Sequence, residues 1–458
     1  MKMSLSEIAA CVQGIVVGED VSVSSVSIDT RAIKPGQLYV AIKGSHFDGH
    51  EFVDKAAQAG ALAAIVNQGI TVTMPHIVVA DTRLALAQLA GIWRKKATLS
   101  VVGITGSNGK TTVKEMVAAI LSLNGNTLFT QGNLNNDIGV PLTLLRLNEQ
   151  YRYAVIELGA NHPGEIEYTG RYVQADVAII TNVGAAHIEG FGSVEGVAKA
   201  KGELIQTLKQ SGVAVLNRDD DYFDYWESLA GARKILSFGL DERANVTAHV
   251  IKTELIDNAF ETSFTLITSA GVLAITLKLA GQHNVVNALA ATAACLALNI
   301  DLQQIKQGLE SVKPVTGRLQ PLVSRLGNIV IDDTYNANSA SLKAGLEALA
   351  NYGGKRWLVL GAFGELGPES PKIHQEMGEL IRASGVVRLL AVGSDARNTV
   401  RIFGQGADFF DTQDDLIEVL KRELKGDEVI LIKGSRTQRM ENVVAALVES
   451  SRPLPTSV

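Results

Sequence analysis

The sequence has 458 residues, of which 46% are hydrophobic and 20% charged, which is the composition of an ordinary globular protein. Its length is too great for one hydrophobic core and predicts about three domains. The 42 basic and 48 acidic residues give a net charge of −6 without a long basic block, so nothing indicates general affinity for nucleic acid or membranes. Any anionic ligand must therefore be bound by a local group of residues.

The two cysteines, Cys11 and Cys295, each lie in an apolar helical pattern, which favours buried thiols in a reducing compartment over a disulfide. The first residues lack the apolar core of a signal peptide, and the most apolar helical stretch, 288–298, is too short to span a bilayer. We therefore expect a cytoplasmic protein without membrane insertion, and we expect a monomer.

Residues 1 to about 98 are predicted to form a small α/β unit. Ser4 and Glu7 have the spacing of a capping box for a first helix, and strand-like runs follow at 21–28 and 37–42. Two polar loops, at 27–31 and 43–50, combine hydroxyls, an arginine, histidines and glycines. This composition suits an anionic ligand such as a nucleotide diphosphate, although solvent-facing turns are often as polar.

A glycine-rich stretch at residues 103–112 follows an apolar run and precedes a helix-like segment at 113–123. Its glycines allow several backbone N–H groups to point at one spot, where the helix N-terminus adds partial positive charge. Lys110 can reach the terminal phosphates of a nucleotide, and the Thr111 hydroxyl can ligate the accompanying Mg²⁺. The first glycine of the strict phosphate-loop pattern falls one residue early, at Gly103. We interpret the stretch as an ATP site; a glycine-rich turn with a surface lysine is the alternative.

Residues 99 to 314 alternate apolar strands with helical patterns, which predicts a mainly parallel sheet, with antiparallel hairpins at 245–279. Polar residues end two of the strands, at Glu157 and, after a short turn, at His187. The carboxyl ends of parallel strands share one edge of a sheet, so these residues should lie near the phosphate loop. Glu157 is predicted to be a Mg²⁺ ligand and His187 a second metal ligand.

Three further features of this region leave alternatives open. Ser193 is predicted to cap a helix that carries Lys199 and Lys201, and most lysines on such helices are simply solvated. The stretch 217–220 is similar to a guanine-reading element, but arginine replaces its lysine, which disfavours GTP. The polar first turn of the helix after Gly281 either contacts a purine or caps the helix.

Residues 315 to 458 again alternate short apolar strands with helices, which predicts a Rossmann-like domain. No dinucleotide-binding glycine pattern follows the first strand. The polar loop at 332–339 indicates contact with substrate or nucleotide instead. The sequence thus predicts an α/β protein of three domains: a small N-terminal α/β domain (1–98), a central P-loop domain with a mainly parallel sheet (99–314) and a C-terminal Rossmann-like domain (315–458).

Several motifs together resemble one family. They are the phosphate loop at 105–112, Gly-Asn-Leu-Asn-Asn at 132–136, Glu-Leu-Gly at 157–159, Asn-Val-Gly at 182–184 with His187, Gly-Gln-His-Asn at 281–284 and Asp-Thr-Tyr-Asn-Ala-Asn at 333–338. In this order, and over nearly the whole chain, they resemble the Mur ligases of bacterial peptidoglycan synthesis. The stretches 335–338 and 364–367 are similar to the branch that adds D-alanyl-D-alanine to UDP-N-acetylmuramoyl-tripeptide. The Asp-Asn-Pro-Arg motif of the diaminopimelate-adding branch is absent, and Ala362-Phe363 stands where the resembled branch usually has Asp-Met.

The resemblance implies an ATP-dependent amide ligase that serves cell-wall biogenesis, cell shape and cell division. The substrate's carboxylate attacks the γ-phosphate of ATP to form an acyl phosphate, and the amine then displaces phosphate through a tetrahedral intermediate. Two Mg²⁺ ions are implied as cofactors. Lys201 would be carbamylated by CO₂ and would help to position the second ion. Lys199 is the alternative site for this carbamate.

The resemblance also implies roles for individual residues. The catalytic residues would be Lys110, Glu157, His187 and Lys201, and the metal ligands Thr111, Glu157, His187 and Lys201. ATP would be bound by Thr105, Gly106, Ser107, Asn108, Gly109, Lys110, Thr111 and Thr112, with Asn284 at the adenine, Asp333 at the ribose and Arg318 at the phosphates. The UDP end of the substrate would lie in the first domain at Ser27, Asp29, Arg31, Gly44, Ser45, His46, Phe47 and Asp48. The remaining substrate contacts would be Asn135, Asn136, Tyr335, Asn336 and Asn338.

Two other functions compete with this interpretation. The first keeps the ATP chemistry with a different acceptor, as in another Mur ligase or a folylpolyglutamate-type ligase. The second is a regulatory P-loop switch that binds GTP or ATP and signals through a partner. Polar loops from three domains around a common cleft favour multi-substrate chemistry.

Overall fold

The computed structural model describes residues 1–44, 47–184, 188–257 and 259–448. Three large sheets follow one another along the described chain, and helices cover them. The fold is therefore α/β throughout, with a mainly parallel central sheet, as the sequence predicts. The domain boundaries near residues 98 and 314 stay a prediction.

The first sheet belongs to the N-terminal unit and has the strand order β2-β7-β6-β5-β4. The elements of this unit are β1 Met3–Ser4, α1 Leu5–Val12, β2 Ile15–Val17, β3 Ser22–Val23, β4 Ser25–Ser27, β5 Gln37–Val40, α2 Val53–Gln58, β6 Ala63–Asn67, β7 His76–Val79 and α3 Thr82–Lys96. The predicted capping box is confirmed, because the Ser4 hydroxyl accepts from the Glu7 N–H and the Glu7 carboxylate accepts from the Ser4 N–H.

The single strand predicted at 21–28 is wrong. The structure divides this run into β3, which pairs with β1, and β4, which pairs with β5. Between them, Ser24 donates both its N–H and its hydroxyl to the Gly36 carbonyl, at 2.9 and 3.1 Å. These bonds take Ser24 out of the ladder and redirect the chain from one sheet to the other.

The central sheet has the order β16-β15-β14-β13-β12-β11-β8-β10-β9. Its elements are β8 Ser100–Thr105, α4 Lys110–Ser122, β9 Thr127–Phe129, α5 Gly139–Leu144, β10 Tyr153–Glu157, α6 Glu165–Val173, β11 Val177–Ile180, α7 Ile188–Phe191, α8 Val194–Gln206, β12 Val213–Asn217, α9 Phe223–Ala230, β13 Lys234–Phe238, β14 Val246–Ile256, β15 Ala259–Thr268, β16 Gly271–Leu277, α10 Gln282–Ala297 and α11 Leu302–Ser311. The strands from β9 to β14 pair in parallel, and β14, β15 and β16 form the predicted antiparallel edge.

The strand order places the phosphate loop at a switch point of the sheet. β8 lies between β10 and β11, so the connections that follow it run to both sides of the sheet. Ligands of open α/β sheets bind in the crevice that opens at such a point, outside the carboxyl ends of the strands. The loop after β8 occupies this crevice.

The third sheet has the order β17-β18-β22-β19-β20-β21 and is parallel except for β17. Its elements are β17 Gln320–Val323, β18 Ile329–Asp333, α12 Ser339–Ala350, β19 Lys355–Gly361, α13 Ser370–Ala383, β20 Arg388–Val392, α14 Ala396–Phe403, β21 Ala407–Phe410, α15 Gln413–Glu423, β22 Glu428–Lys433 and α16 Glu441–Leu447. The apolar pattern predicts the four inner strands but not β17 and β21. Both are short edge strands, which need a less continuous apolar pattern than buried ones.

Apolar residues fill both faces of the central and C-terminal sheets, and one continuous core joins the N-terminal unit to the central one. At that junction α3 packs on α5 and α6, and the Trp93 indole donates to the Leu147 carbonyl at 2.9 Å. Within the described chain, no helix combines the length and the apolar character needed to cross a bilayer. Both thiols are free, as predicted; Cys295 is buried, whereas Cys11 is only half-buried.

Candidate functional site

A cavity of about 790 Å³ lies between the carboxyl edge of the central sheet and the C-terminal domain. The phosphate loop, the end of β10 and the first turn of α10 form its central-domain wall. The segment 312–319 and the loops after β18, β19 and β22 form the rest. All three of the latter loops leave the carboxyl ends of parallel strands, so both domains present the ligand-binding edge of their sheets to one space.

The phosphate loop needs glycine at two positions. Gly106 has φ +145°, and a Cβ there would lie 1.9 Å from the Thr181 hydroxyl oxygen. Gly109 has φ +82°, and its Cβ would lie 2.3 Å from Asn287 Oδ1. Helix α4 begins directly after Gly109, and no side chain caps it. Its first N–H groups therefore form part of the cavity wall, which is typical of a phosphate site.

Lys110 lies at the start of α4 and lines the cavity. Its ammonium donates to the carbonyls of Gly106 at 2.6 Å and Ser107 at 3.3 Å. Burial lowers the pKa of Lys110 below its usual range; the Glu157 carboxylate opposes this shift, and the Arg318 guanidinium adds to it. Two cationic side chains from different domains thus lie close together at the loop, which is the arrangement that a polyphosphate needs.

The Thr111 hydroxyl is the point where three elements meet. It donates to Glu157 Oε2 at 3.0 Å and accepts from the Arg318 guanidinium at 2.9 Å. Asn135 donates to the other carboxylate oxygen, Glu157 Oε1, at 2.8 Å. The carboxylate is buried and held from both sides. The predicted proximity of Thr111 and Glu157 is therefore observed.

The two lysines of α8 have different environments. Lys199 is 60% exposed and forms a surface ion pair with Glu195 at 2.7 Å. Lys201 is only 2% exposed, and its Nζ lies 5.4 Å from the centre of the Phe191 ring. Burial lowers the pKa of Lys201 to about 7, and the Lys110 ammonium acts in the same direction. Lys201 is not among the described residues that line the cavity.

The region assigned to adenine and ribose contains two connected polar groups. Asn284, on the first turn of α10, donates to the Ala280 carbonyl at 2.8 Å and accepts from Asn287 at 3.1 Å. Asp333 forms a buried ion pair with Lys433 at 2.6 Å. Burial lowers the pKa of His283, next to Asn284, to about 4, so that its ring is neutral at pH 7. Asn287 is not among the predicted site residues, although its spacing of three from Asn284 places both side chains on one face of a helix.

The C-terminal domain contacts the phosphate loop directly. Asn338 donates to Asn108 Oδ1 at 2.7 Å, and the Arg318 guanidinium lies 4.3 Å from the centre of the Tyr335 ring. Tyr335, Asn336 and Asn338 all line the cavity, as do Asn135 and Asn136 on the opposite side. Ser107 and Thr112 line it too, whereas Thr105 is buried beneath the loop and donates to the Leu158 carbonyl at 2.8 Å.

The residues assigned to the UDP end lie in the N-terminal unit and do not line this cavity. Arg31 and Asp29 form an exposed ion pair at 2.7 Å, and the Ser27 hydroxyl bonds with the Asp29 backbone. Asp48 accepts from the His50 ring at 2.6 Å, Phe47 is 60% exposed, and Gly44 donates to the Phe47 carbonyl. The predicted residues Ser45, His46 and His187 lie outside the described residues.

The loop that joins this unit to the cavity is held by an ion pair. Arg83, at the start of α3, donates to Asp137 at 2.9 Å and lies 3.5 Å from the Lys43 carbonyl. Asp137 follows Asn135 and Asn136 and lines the cavity. The N-terminal loops thus connect to the cavity through one guanidinium.

The stretch that resembles a guanine-reading element serves the structure of the sheet instead. Asn217 donates to the Thr181 carbonyl at 2.9 Å. The Asp219 carboxylate accepts from the N–H groups of Leu240 and Asp241, and Arg218 covers the Phe223 ring at 4.3 Å. Since these side chains bond within the protein, the geometry disfavours a GTP switch.

The fold and the site define a P-loop enzyme whose nucleotide cavity is closed by a second α/β domain. Family models match all three parts of the chain: the Mur ligase family catalytic domain at residues 22–94, the Mur ligase middle domain at 104–295 and the Mur ligase glutamate ligase domain at 317–436. The chain belongs to the Mur ligase family and is an ATP-dependent ligase that forms amide bonds. The resemblance stated from the motifs is confirmed.

Similar proteins are known as sequences and as structures. The UDP-N-acetylmuramoyl-tripeptide–D-alanyl-D-alanine ligase of Escherichia coli is 44% identical over 453 residues, covering 98% of this chain and 99% of that one. A crystal structure of MurF from Acinetobacter baumannii superposes with a TM-score of 0.91 at 37% identity, covering 97% of this chain and 98% of that one. The MurF ligase of Thermotoga maritima, in complex with ADP, gives a TM-score of 0.81 at 29% identity over 92% of this chain and 96% of that one.

Proposed function

We propose that this enzyme joins D-alanyl-D-alanine to UDP-N-acetylmuramoyl-tripeptide with hydrolysis of ATP to ADP and phosphate. The full-length similarity to relatives named for that reaction supports the choice of substrates. The main support for the chemistry is the environment of the Thr111 hydroxyl at the phosphate loop. It donates a hydrogen bond to the Glu157 carboxylate and accepts one from the Arg318 guanidinium.

The first step joins two anions, so their charges must be neutralised. A carboxylate oxygen of the tripeptide attacks the γ-phosphorus, the bond between that phosphorus and the bridging oxygen breaks, and ADP leaves. Lys110 and Arg318 supply positive charge from opposite domains where negative charge develops. The uncapped start of α4 adds N–H donors to the same space.

In the second step, the amine nitrogen of D-alanyl-D-alanine attacks the carbonyl carbon of the acyl phosphate. A tetrahedral intermediate forms and collapses with loss of inorganic phosphate, and the nitrogen loses a proton. The amine must enter from a side that neither the nucleotide nor the UDP end occupies. We assign that side to the C-terminal loops that line the cavity, including Tyr335, Asn336 and Asn338.

The donor set at the phosphate loop fits Mg²⁺. Thr111 Oγ1 and Glu157 Oε2 are hard oxygen ligands 3.0 Å apart, and a Mg²⁺ ion usually takes only one or two protein ligands in addition to substrate phosphates and water. Thr111 and Glu157 would hold one ion and His187 would contribute to a second. The metal would withdraw charge from the phosphate oxygens. Within the described chain, no three His, Cys, Asp or Glu side chains cluster in a manner that would hold a metal without such help.

Lys201 is proposed to carry a carbamate. The reaction with CO₂ requires a neutral amine, and the burial of Lys201 favours that form because its pKa is lowered to about 7. Among the described residues no hydrogen-bond acceptor holds its ammonium, which lies 5.4 Å from the centre of the Phe191 ring. The carbamate would be an anion that helps to position the second Mg²⁺.

The remaining roles are proposed together. The N-terminal unit would hold the UDP end at Ser27, Asp29, Arg31 and residues 44–48, with Arg83 linking these loops to the cavity. Asn284 would contact adenine and Asp333 ribose. We propose that the enzyme acts in the cytoplasm and serves cell shape and cell division, because its substrates are ATP and a UDP-linked cell-wall precursor. We also propose that it is a monomer.

A coupled assay of ADP and phosphate release tests the proposal. Release should require ATP, Mg²⁺, UDP-N-acetylmuramoyl-tripeptide and D-alanyl-D-alanine together, and omission of either acceptor substrate should abolish it. A panel of other amino substrates, with glutamate and diaminopimelate included, separates this function from other ligases of the family. Turnover that proceeds unchanged without D-alanyl-D-alanine would refute the assignment.

A further inference from the structure

A buried polar network lies behind the cavity in the C-terminal domain. His374, on α13, is fully buried. Its Nδ1 lies 2.9 Å from the Ser370 carbonyl oxygen, and its Nε2 lies 3.2 Å from the Phe363 backbone nitrogen. The Thr399 hydroxyl donates to the His374 carbonyl at 2.9 Å. None of these four residues lines the cavity.

These contacts determine which tautomer the His374 ring adopts. A carbonyl oxygen can only accept, so Nδ1 carries the proton; a backbone N–H can only donate, so Nε2 is the acceptor. The Ser370 hydroxyl, 3.3 Å from Nδ1, donates to Asp395 Oδ2 at 2.5 Å and holds the start of α13 to the next helix. The ring can therefore accept the Phe363 N–H from a fixed position.

Phe363 begins the loop that carries Glu365 into the cavity wall. Glu365 has φ +61°, a conformation that is unfavourable for a residue with a side chain and persists only where the surroundings impose it. The bond to His374 restrains the loop before Glu365. On the same side of Glu365, the Ser435 hydroxyl donates to the Ala362 carbonyl at 2.8 Å and adds a second restraint.

The loop lies on the C-terminal-domain wall of the cavity, to which the proposed function assigns the entry of the amine. A Cβ on Gly364 would lie 3.6 Å from the Ser435 hydroxyl, so the loop is next to the segment of Ser435 and Arg436, which also line the cavity. A zwitterionic dipeptide needs an anion for its ammonium and a cation for its carboxylate. Glu365 and Arg436 place both charges on this wall, where Arg436 also pairs with Glu441 at 3.0 Å.

We propose that His374 is a positioning residue for the amino substrate. Through the Phe363 N–H it holds the 362–367 loop in the strained conformation that presents Glu365 to the cavity. This inference rests on the proposed function, since it assumes that the amine substrate is D-alanyl-D-alanine. Loss of the acceptor at position 374 should raise the KM for D-alanyl-D-alanine and leave ATP binding unchanged.

The test compares steady-state KM values for D-alanyl-D-alanine and ATP in the full-length enzyme. His374→Phe keeps a ring against Phe363 but removes the acceptor, and the KM for D-alanyl-D-alanine should rise about tenfold, the value of one hydrogen bond. The KM for ATP should stay within about twofold of the wild type, since the altered loop lies outside the nucleotide region. His374→Gln, whose amide oxygen can accept, should restore part of the loss.

Met377→Ala is the matched control, because Met377 is as buried as His374 on the same helix but makes no hydrogen bond to the loop. It should lower the melting temperature without an amine-specific change in KM. If His374→Phe does not fold, His374→Leu provides the second variant, because it also lacks the acceptor for the Phe363 N–H, and it should raise the KM for D-alanyl-D-alanine selectively.

Equal shifts in both KM values, or an amine-specific shift in Met377→Ala, would overturn the positioning role. An unchanged KM for D-alanyl-D-alanine in either network variant would do the same. Failure of the proposed function is seen separately, as wild-type turnover that does not require D-alanyl-D-alanine.

Discussion

The guanidinium of Arg318 donates to the hydroxyl of Thr111 across 2.9 Å, and these residues lie 207 positions apart in the chain. Thr111 is on the first turn of α4, whereas Arg318 follows the segment that enters the C-terminal domain. The same guanidinium covers the Tyr335 ring at 4.3 Å. Arg318 thus links the position of the C-terminal domain to the first turn of α4, beside the bond from Asn338 to the phosphate loop.

Arg318→Lys should reduce kcat without unfolding the enzyme. A lysine keeps the positive charge but loses the planar donor set that contacts Thr111 and stacks on Tyr335. Removal of a donor from a preorganised anionic site usually costs about 10²- to 10³-fold in kcat, and we expect a loss in that range. Single-turnover formation of ADP measures the effect.

Arg243→Lys is the control for this exchange, because Arg243 is 73% exposed and pairs with Asp241 on the surface. It should leave turnover unchanged. A wild-type rate of ADP formation in Arg318→Lys would show that the contact with Thr111 is not used in the reaction.

Glu157→Gln should raise the Mg²⁺ concentration needed for half-maximal activity. The amide has the shape of the carboxylate and can still accept from Thr111, but it lacks the charge that Mg²⁺ prefers. Titration of activity with Mg²⁺ at saturating substrates measures the shift. Asn135→Ala, which removes the donor to Glu157 Oε1 and leaves the charge, should give a much smaller shift. An identical Mg²⁺ dependence in wild type and Glu157→Gln would exclude Glu157 as a ligand.

Local sequence predicted the parts of the site that depend on one stretch of chain or on the edge of one sheet. The phosphate loop followed from its glycines, and Glu157 followed because carboxyl ends of parallel strands meet. The spacing of Lys199 and Lys201 places them on different helix faces, but which face is buried depends on the packing of α8. Ser24 shows the same limit, because its partner Gly36 comes from another part of the fold.

Contacts between domains could not be predicted, because they depend on the arrangement of separate sheets. The bond between Asn338 and Asn108 and the bond between Arg318 and Thr111 are both of this kind. The role of His374 is also invisible in the sequence. A histidine in a helical pattern does not indicate which backbone N–H will donate a hydrogen bond to its ring.

Lys201→Ala should lose activity and recover part of it with added short carboxylates, because such an anion can occupy the place of the proposed carbamate. Activity assays across acetate and formate concentrations measure the rescue, with Lys199→Ala as the exposed control that should retain activity. A folded Lys201→Ala enzyme that no carboxylate rescues would contradict the carbamate.

The pH dependence of the wild type provides a second test of Lys201. Its pKa is lowered from 10.5 to about 7, so the amine is mostly protonated below pH 7 and mostly neutral above it. At fixed dissolved CO₂, carbamate formation should therefore increase as the pH rises through 7, and ¹³C NMR with labelled CO₂ measures it.

Without CO₂, the unfolded chain binds a proton at Lys201 that the folded chain lacks between pH 7 and 10.5. The contribution of Lys201 to stability should then rise with pH across that window.

Lys433→Met should destabilise the C-terminal domain because it leaves the Asp333 carboxylate buried without its partner. The side chains of Lys433 and Asp333 are 1% and 11% exposed, and their charged atoms lie 2.6 Å apart. Breaking a buried pair by removal of one partner usually costs about 3–5 kcal/mol, whereas removal of both charges costs much less. Urea denaturation should therefore show a larger loss in Lys433→Met than in the double variant with Asp333→Asn. Lys421→Met, which removes an exposed partner of Glu418, should change stability by less than about 1 kcal/mol. Equal losses in the single and double variants would mean that Lys433 stabilises the domain by packing and not by its charge.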